Sequence, residues 1–167
     1  AHANAGAIER GLAELEEGLN MCTLGDGPRA LIDVSMWRYL LTAADLHERN
    51  AQLRQARTWA DHALFQAERR NEDLGQMRCH EVLGRLLRGL KQSMLAEQHV
   101  GRGLELARKL GDRRTSAVFL LLRAELRAAA GRPDEARRCL DEALRLGELL
   151  EWERGIKQAK EGLSQLA

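Results

Sequence analysis

His47, His62, His80 and His99, together with Cys22, Cys79 and Cys139, are the side chains of this sequence best suited to metal or covalent chemistry. A helical zinc site asks for two ligands at i and i+4 with an acidic companion, and none of these histidines has that spacing. Cys79 and His80 are neighbours in sequence, but adjacent helical residues point about 100° apart and cannot form a nucleophile–base pair. Gly25-Asp26-Gly27-Pro28 and Gly101-Arg102-Gly103 have the glycine density of a phosphate loop without the strand-to-helix context that gives such a loop meaning. Glu81 and Arg85 read as an ordinary i, i+4 ion pair. The cysteines are odd in number, far apart and lack a Cys-x-x-Cys pair, so neither a disulfide framework nor a zinc site is expected. Each lies among apolar residues in a helical stretch and reads as a small buried hydrophobe. The expectation is a non-catalytic chain with no catalytic residue, no metal and no cofactor.

The elements that carry these residues are all helical. Leu, Ala, Arg and Glu dominate, and two prolines and 4% aromatics leave little that favours strand. The longest apolar run, Ala117-Val118-Phe119-Leu120-Leu121-Leu122, is too short to cross a bilayer. The opening Ala-His-Ala-Asn-Ala has no secretory pattern, so a cytoplasmic setting and no membrane partner are expected. The absence of Met at residue 1 suggests a piece of a longer protein.

A period of 40 residues organises the chain. Ala56, Ala96 and Ala136 are followed seven positions later by Ala63-Leu64, Gly103-Leu104 and Ala143-Leu144, and preceded by twelve by Ala44, Gly84 and Ala124. Such a period marks a solenoid, whose units bury their apolar faces only against one another. The fold class expected is all-α: a right-handed antiparallel helix-pair solenoid of about seven helices, one domain over 1–167. Within it, 1–28 is a lone first helix (Ile8, Leu12, Leu15 and Leu19 on one face), and 29–72, 73–111 and 112–147 are helix pairs. The last helix, 148–167, is a cap whose apolar stripe Leu149, Trp152, Ile156, Ala159, Leu163 and Leu166 is backed by charge. Ser93 is expected to cap one helix. In Gly131-Arg132-Pro133-Asp134-Glu135, glycine ends one helix and proline opens the next.

Net charge is +1, unevenly spread. Residues 1–50 carry −4, residues 51–133 carry +7 and residues 134–167 carry −2, so a basic middle lies between acidic ends. Arg78, Arg85 and Arg88 share one helix face, but Glu81 shares it too and the aromatics sit mostly at apolar spacing, which weighs against nucleic acid as a partner.

The small residues of each pair's first helix (Ala44, Gly84, Ala124) and the Ala-x6-[Ala/Gly]-Leu of its second helix resemble the tetratricopeptide repeat over about residues 30–148. The opening helix, through Gly11 and Gly18-Leu19, is similar to a lone second helix of that repeat. The family's usual length is about 34 residues, and the 40 found here is similar to extended repeats in cell-polarity adaptors and in the sensor or scaffold arms of large bacterial regulators. The family's usual Trp and Tyr are replaced by Leu40 and His47, His80 and Leu87, and Leu120 and Arg127. The resemblance implies a concave groove lined by the first helices. Its partner-binding residues would be Arg38, Leu41, Asp45, Glu48, Arg78, Glu81, Arg85, Arg88, Leu121 and Glu125, with Leu41 and Leu121 as apolar anchors. The asparagines of the family's carboxylate clamp are absent from these positions, which weighs against capture of a free C-terminus. The function implied is a scaffold or regulatory module for a protein or peptide partner, acidic if the arginines face it. The alternative is a sensor arm that binds a small ligand or signalling peptide. The terminal helix around Trp152 and Ile156 is the second candidate surface.

Overall fold

The computed structural model describes residues 36–166, together with Gly6, Arg10, Gly11, Ala13, Glu14 and Glu17 ahead of them. The expected opening helix otherwise lies outside the described residues. Among these, all regular structure is helical: α1 (Met36–Arg49), α2 (Leu53–Arg69), α3 (Asp73–Gly89), α4 (Ser93–Lys109), α5 (Arg113–Ala129), α6 (Pro133–Leu149) and α7 (Glu153–Gln165). The chain is an all-α antiparallel helix-pair solenoid.

The turns recur every half period. Ala51, Asn71, Lys91, Gly111, Gly131 and Glu151 all have positive φ, between 50° and 70°. After each, the next N–H reaches back to the carbonyl five residues earlier, as in Gln52 to His47, Gln92 to Leu87 and Trp152 to Gly147, each at 2.9 Å. This is the Schellman ending, which satisfies carbonyls that a helix end would otherwise orphan. Gly111 and Gly131 announce it in the sequence, Asn71 less strongly, and Ala51, Lys91 and Glu151 not at all. The boundary expected at 148 is therefore displaced: α6 continues to Leu149 and α7 starts at Glu153, because Glu151 takes the left-handed conformation without a glycine to mark it. The helix at 93 is likewise capped differently from the expectation. Its N-cap is Gln92 and makes no side-chain cap bond, whereas Asp112 ahead of α5 accepts from the Thr115 N–H and hydroxyl, both at 2.8 Å.

The chain divides into two compact units, Ala1–Val82 and Leu83–Ala167, with the boundary inside α3. In the first, α1 pairs with α2 over a core of Trp37, Leu40, Ala43, Ala44, Ala56, Ala60, Ala63, Leu64 and Ala67, with Met77 and Cys79 from α3 also buried. A β-carbon on Gly11 would lie 3.5 Å from Leu46 on α1.

In the second, α5 is the central element, packed on α4, α6 and α7. Phe119 is fully buried there, which removes roughly 1.5–3 kcal/mol worth of apolar surface from water. Its ring fits because residue 103 has no side chain: a β-carbon there would lie 2.1 Å from the ring tip. The periodic small residues are thus crossing points, and Ala56, Ala63, Ala96, Ala136 and Ala143 are all buried. On α7, Lys157, Lys160 and Ser164 are exposed, whereas their counterparts 40 residues earlier, Ala117, Leu120 and Ala124, are buried.

Candidate functional site

In the first unit, α1 and the start of α3 border a cleft of about 410 Å³, open to solvent and lined by Trp37, Arg38, Leu41, Leu74, Arg78, Glu81 and Val82. Trp37 anchors it. Its indole N–H donates to the Glu72 carboxylate at 2.5 Å, a charge-assisted bond that fixes the ring as the inner wall. Gly75 admits the ring edge to α3, since a β-carbon there would stand 2.8 Å from the indole nitrogen. Leu41, at one helical turn from Arg38, and the exposed Leu74 and half-buried Val82 complete an apolar floor.

Two guanidinium groups stand at the lips. Arg38 lies over the Trp37 ring, 5.1 Å from its centroid, and Arg78 is bound to Glu81 at 3.2 Å. The lining contains no histidine, cysteine or hydroxyl, and its one carboxylate is tied to an arginine. The arrangement can bury an apolar side chain and ligate carboxylates; it offers no free base or nucleophile.

Four residues expected from sequence, Arg38, Leu41, Arg78 and Glu81, come together here. Asp45 sits one turn beyond and pairs with Arg49 at 2.8 Å. Glu48 is half-buried on the same helix. In the second unit Arg85 is half-buried, and Arg88 and Glu125 form an ion pair with each other. Leu121 corrects the expectation of an apolar anchor: it is 9% exposed, because the apolar run 117–122 leaves α5 no free face between its neighbours. Trp37, Leu74 and Val82 escaped the sequence reading. Their mark was an apolar residue in the first turn of α3 and a tryptophan next to Arg38.

The basic middle is largely consumed internally. Glu97 receives Arg123 and Arg127 at 3.1 Å and Arg132 at 3.7 Å, Arg127 also reaches Glu135 at 2.7 Å, and Arg108 meets Glu142 at 2.7 Å. The terminal-helix candidate is also occupied by packing: the Trp152 ring lies against Gly155 with Arg114 over it, and Ile156 lies against Gly147.

His47 stacks on Trp59 at 6.3 Å and meets Gln52 at 2.7 Å, while His80 is buried. Among the described residues no three His, Cys, Asp or Glu side chains could hold a metal ion, and no helix is long and apolar enough to cross a membrane. Cys79 and Cys139 are buried free thiols, whereas Cys22 lies outside the described residues. Burial, reinforced by Glu68, pushes the Cys79 thiol up to about 12; burial also raises Cys139, against the opposing pull of Arg127 and Arg123. Neither is an activated nucleophile.

No family model matches the sequence, and no curated protein matches it. The structure is similar to the crystal structure of BtubC (BKLC) from P. vanneervenii, with a TM-score of 0.76 and 18% identity over 96% of this chain and 65% of that one. It is also similar to the crystal structure of MamA, a tetratricopeptide-like protein, with a TM-score of 0.62 and 11% identity over 96% of this chain and 87% of that one. At such identities the likeness concerns the fold alone, an all-α helical repeat. The chain spans about two thirds of the length of BtubC, at 65%.

Proposed function

We propose that this chain is a non-catalytic interaction module that takes a peptide or helix of a partner protein into the cleft between α1 and α3. The observation that carries the reading is the cleft itself: an apolar floor of Trp37, Leu41, Leu74 and Val82 between Arg38 and Arg78, on the first helices of consecutive pairs. The likeness to a tetratricopeptide-like protein supports a scaffold role. The 40-residue repeat fits a scaffold or regulatory arm of a larger protein, of the kind found in polarity adaptors and bacterial regulators. Buried free thiols fit a reducing, cytoplasmic compartment. The polar face of α7 suits a helix that closes the array. A small-ligand pocket would need buried polar groups that converge, whereas the arginines here stand at an open rim.

The reading is tested by selecting binders from a random-peptide display library on the immobilised chain and measuring them on the Leu41→Ser and Leu74→Ser variants. Leu74 is exposed and Leu41 half-buried, so folding should survive both changes. Binders should lose about tenfold or more in affinity, the equivalent of about 1.4 kcal/mol. Binders that hold both variants as tightly as the parent would reject the cleft as the site.

A further inference from the structure

We infer that the partner segment includes one from a second copy of this chain: the α6–α7 turn, Glu148-Leu149-Leu150-Glu151, docks in the α1/α3 cleft of a neighbouring molecule. This rests on the cleft being a peptide site and adds the identity of an occupant.

The cleft specifies its occupant by chemistry. An apolar floor between two guanidinium groups calls for apolar side chains with carboxylates on either side. Arg38 has no carboxylate partner among the described residues, and its stacking on Trp37 orders the side chain while leaving its N–H donors available. Arg78 gives Glu81 one contact and keeps further donors. The nearby acid Glu72 is engaged by the Trp37 indole.

The chain itself displays the complementary segment. Leu149 is 61% exposed and Leu150 38%, adjacent in a turn flanked by the exposed Glu148 and Glu151. Neither carboxylate is ion-paired among the described residues, and the neighbouring cation Arg114 lies over Trp152 instead. The turn is rigid, held by the left-handed Glu151 and the Trp152-to-Gly147 bond, so little ordering is lost on docking. Among the described residues no other turn combines these features. The counterparts 40 and 80 residues earlier are Arg108-Lys109-Leu110-Gly111 and Glu68-Arg69-Arg70-Asn71, both basic, and those of the alternate half period are Glu48-Arg49-Asn50-Ala51, Arg88-Gly89-Leu90-Lys91 and Ala128-Ala129-Ala130-Gly131.

Turn and cleft are different surfaces, so each molecule carries one donor and one acceptor, and molecules can pair reciprocally or join head to tail. That asymmetry gives the test. A turn variant, Leu149→Ser with Leu150→Ser, keeps its cleft; a cleft variant, Arg38→Glu with Arg78→Glu, keeps its turn. By sedimentation over a concentration series to about 1 mM, the weak end of specific association, the parent should form dimers or longer species. Each variant alone should stay monomeric. Their mixture should form a one-to-one dimer and nothing larger. A synthetic peptide of residues 146–153 should bind the turn variant and bind the cleft variant at least tenfold more weakly.

A monomeric parent throughout, a turn variant that associates like the parent, or a mixture that stays monomeric would each overturn the inference. If display-selected peptides still bind the cleft in that case, the peptide-site reading stands and only the self-docking fails. If they do not bind it either, both fall.

Discussion

Two glycines on one turn of α4 should respond to the same substitution with opposite signs. Gly103→Ala places a methyl 2.1, 2.4 and 2.9 Å from three atoms of the Phe119 ring. Ordinary carbon contacts lie near 3.5–4.0 Å, so the ring tip must retreat by roughly 1.5 Å. Phe119 is 0% exposed and has nowhere to go without displacing its neighbours. Overpacking costs about 1–3 kcal/mol, and contacts this close to a fully buried ring put it in the upper part of that range, roughly 2–3 kcal/mol; about 1 kcal/mol of helix propensity offsets this, leaving a net loss of about 1–2 kcal/mol. Gly101→Ala adds a methyl with nothing within 4 Å and should gain about 0.5–1 kcal/mol. At about 2–4 °C per kcal/mol for a chain of this size, the first melting temperature should fall by about 2–8 °C and the second rise by about 1–4 °C. Circular dichroism melts with urea midpoints measure both. Phe119→Leu shortens the ring's reach, so it should cost less in the Gly103→Ala background than alone. If Gly103→Ala stabilises as much as Gly101→Ala, Phe119 is not seated on Gly103 and the α4–α5 packing is wrong.

Other substitutions examine the network, the turns and the buried thiol. Glu97→Gln removes the acceptor of Arg123, Arg127 and Arg132 at a site only 23% exposed, and should cost about 1–2 kcal/mol in urea titrations, with a smaller difference at high salt. An absent effect would mean that the cluster is solvated, and a salt-independent one that the loss is not electrostatic. Lys91→Gly relieves a left-handed residue at φ 59°, worth about 1–2 kcal/mol, against the greater freedom of the unfolded chain; a net gain of about 0.5 kcal/mol is expected, and a loss would contradict the turn geometry. Cys79 should resist iodoacetamide in the folded chain below pH 9. Its folded thiol holds its proton to about 12 while the unfolded one releases it near 9.0, so stability is unaffected below pH 9 and declines between these values. Urea midpoints of Cys79→Ala should decline less steeply over that window, and parallel slopes would contradict the burial.

What could be read from sequence was local or periodic. Ala44, Gly84 and Ala124 recur at a fixed distance because each occupies a helix crossing, and a β-carbon at Gly84 would indeed meet Val100 at 2.8 Å. The Gly131-Pro133 turn was legible because those residues carry their backbone preferences with them. The break at Glu151 was not, since nothing about glutamate favours positive φ; only the half-period spacing from Gly131 marks it. Leu121 misled because an unbroken apolar run has no periodicity from which to choose a face. The pairing of Arg88 with Glu125 and of Trp37 with Glu72 joins residues more than 30 positions apart in the chain, and charge counts along a chain cannot register such contacts. The cleft was accordingly half-visible: its arginines stood at repeat-equivalent positions, while its floor depended on Leu74 and Trp37 meeting in space.

The claim that a partner peptide occupies the α1/α3 cleft is tested most directly by methyl NMR of the leucine- and valine-labelled chain titrated with a display-selected peptide. The Leu41, Leu74 and Val82 methyls should shift together with one saturation curve, and the Trp37 indole N–H signal should move with them. Shifts confined to other methyls, with these three and the indole unmoved at saturation, would contradict the account.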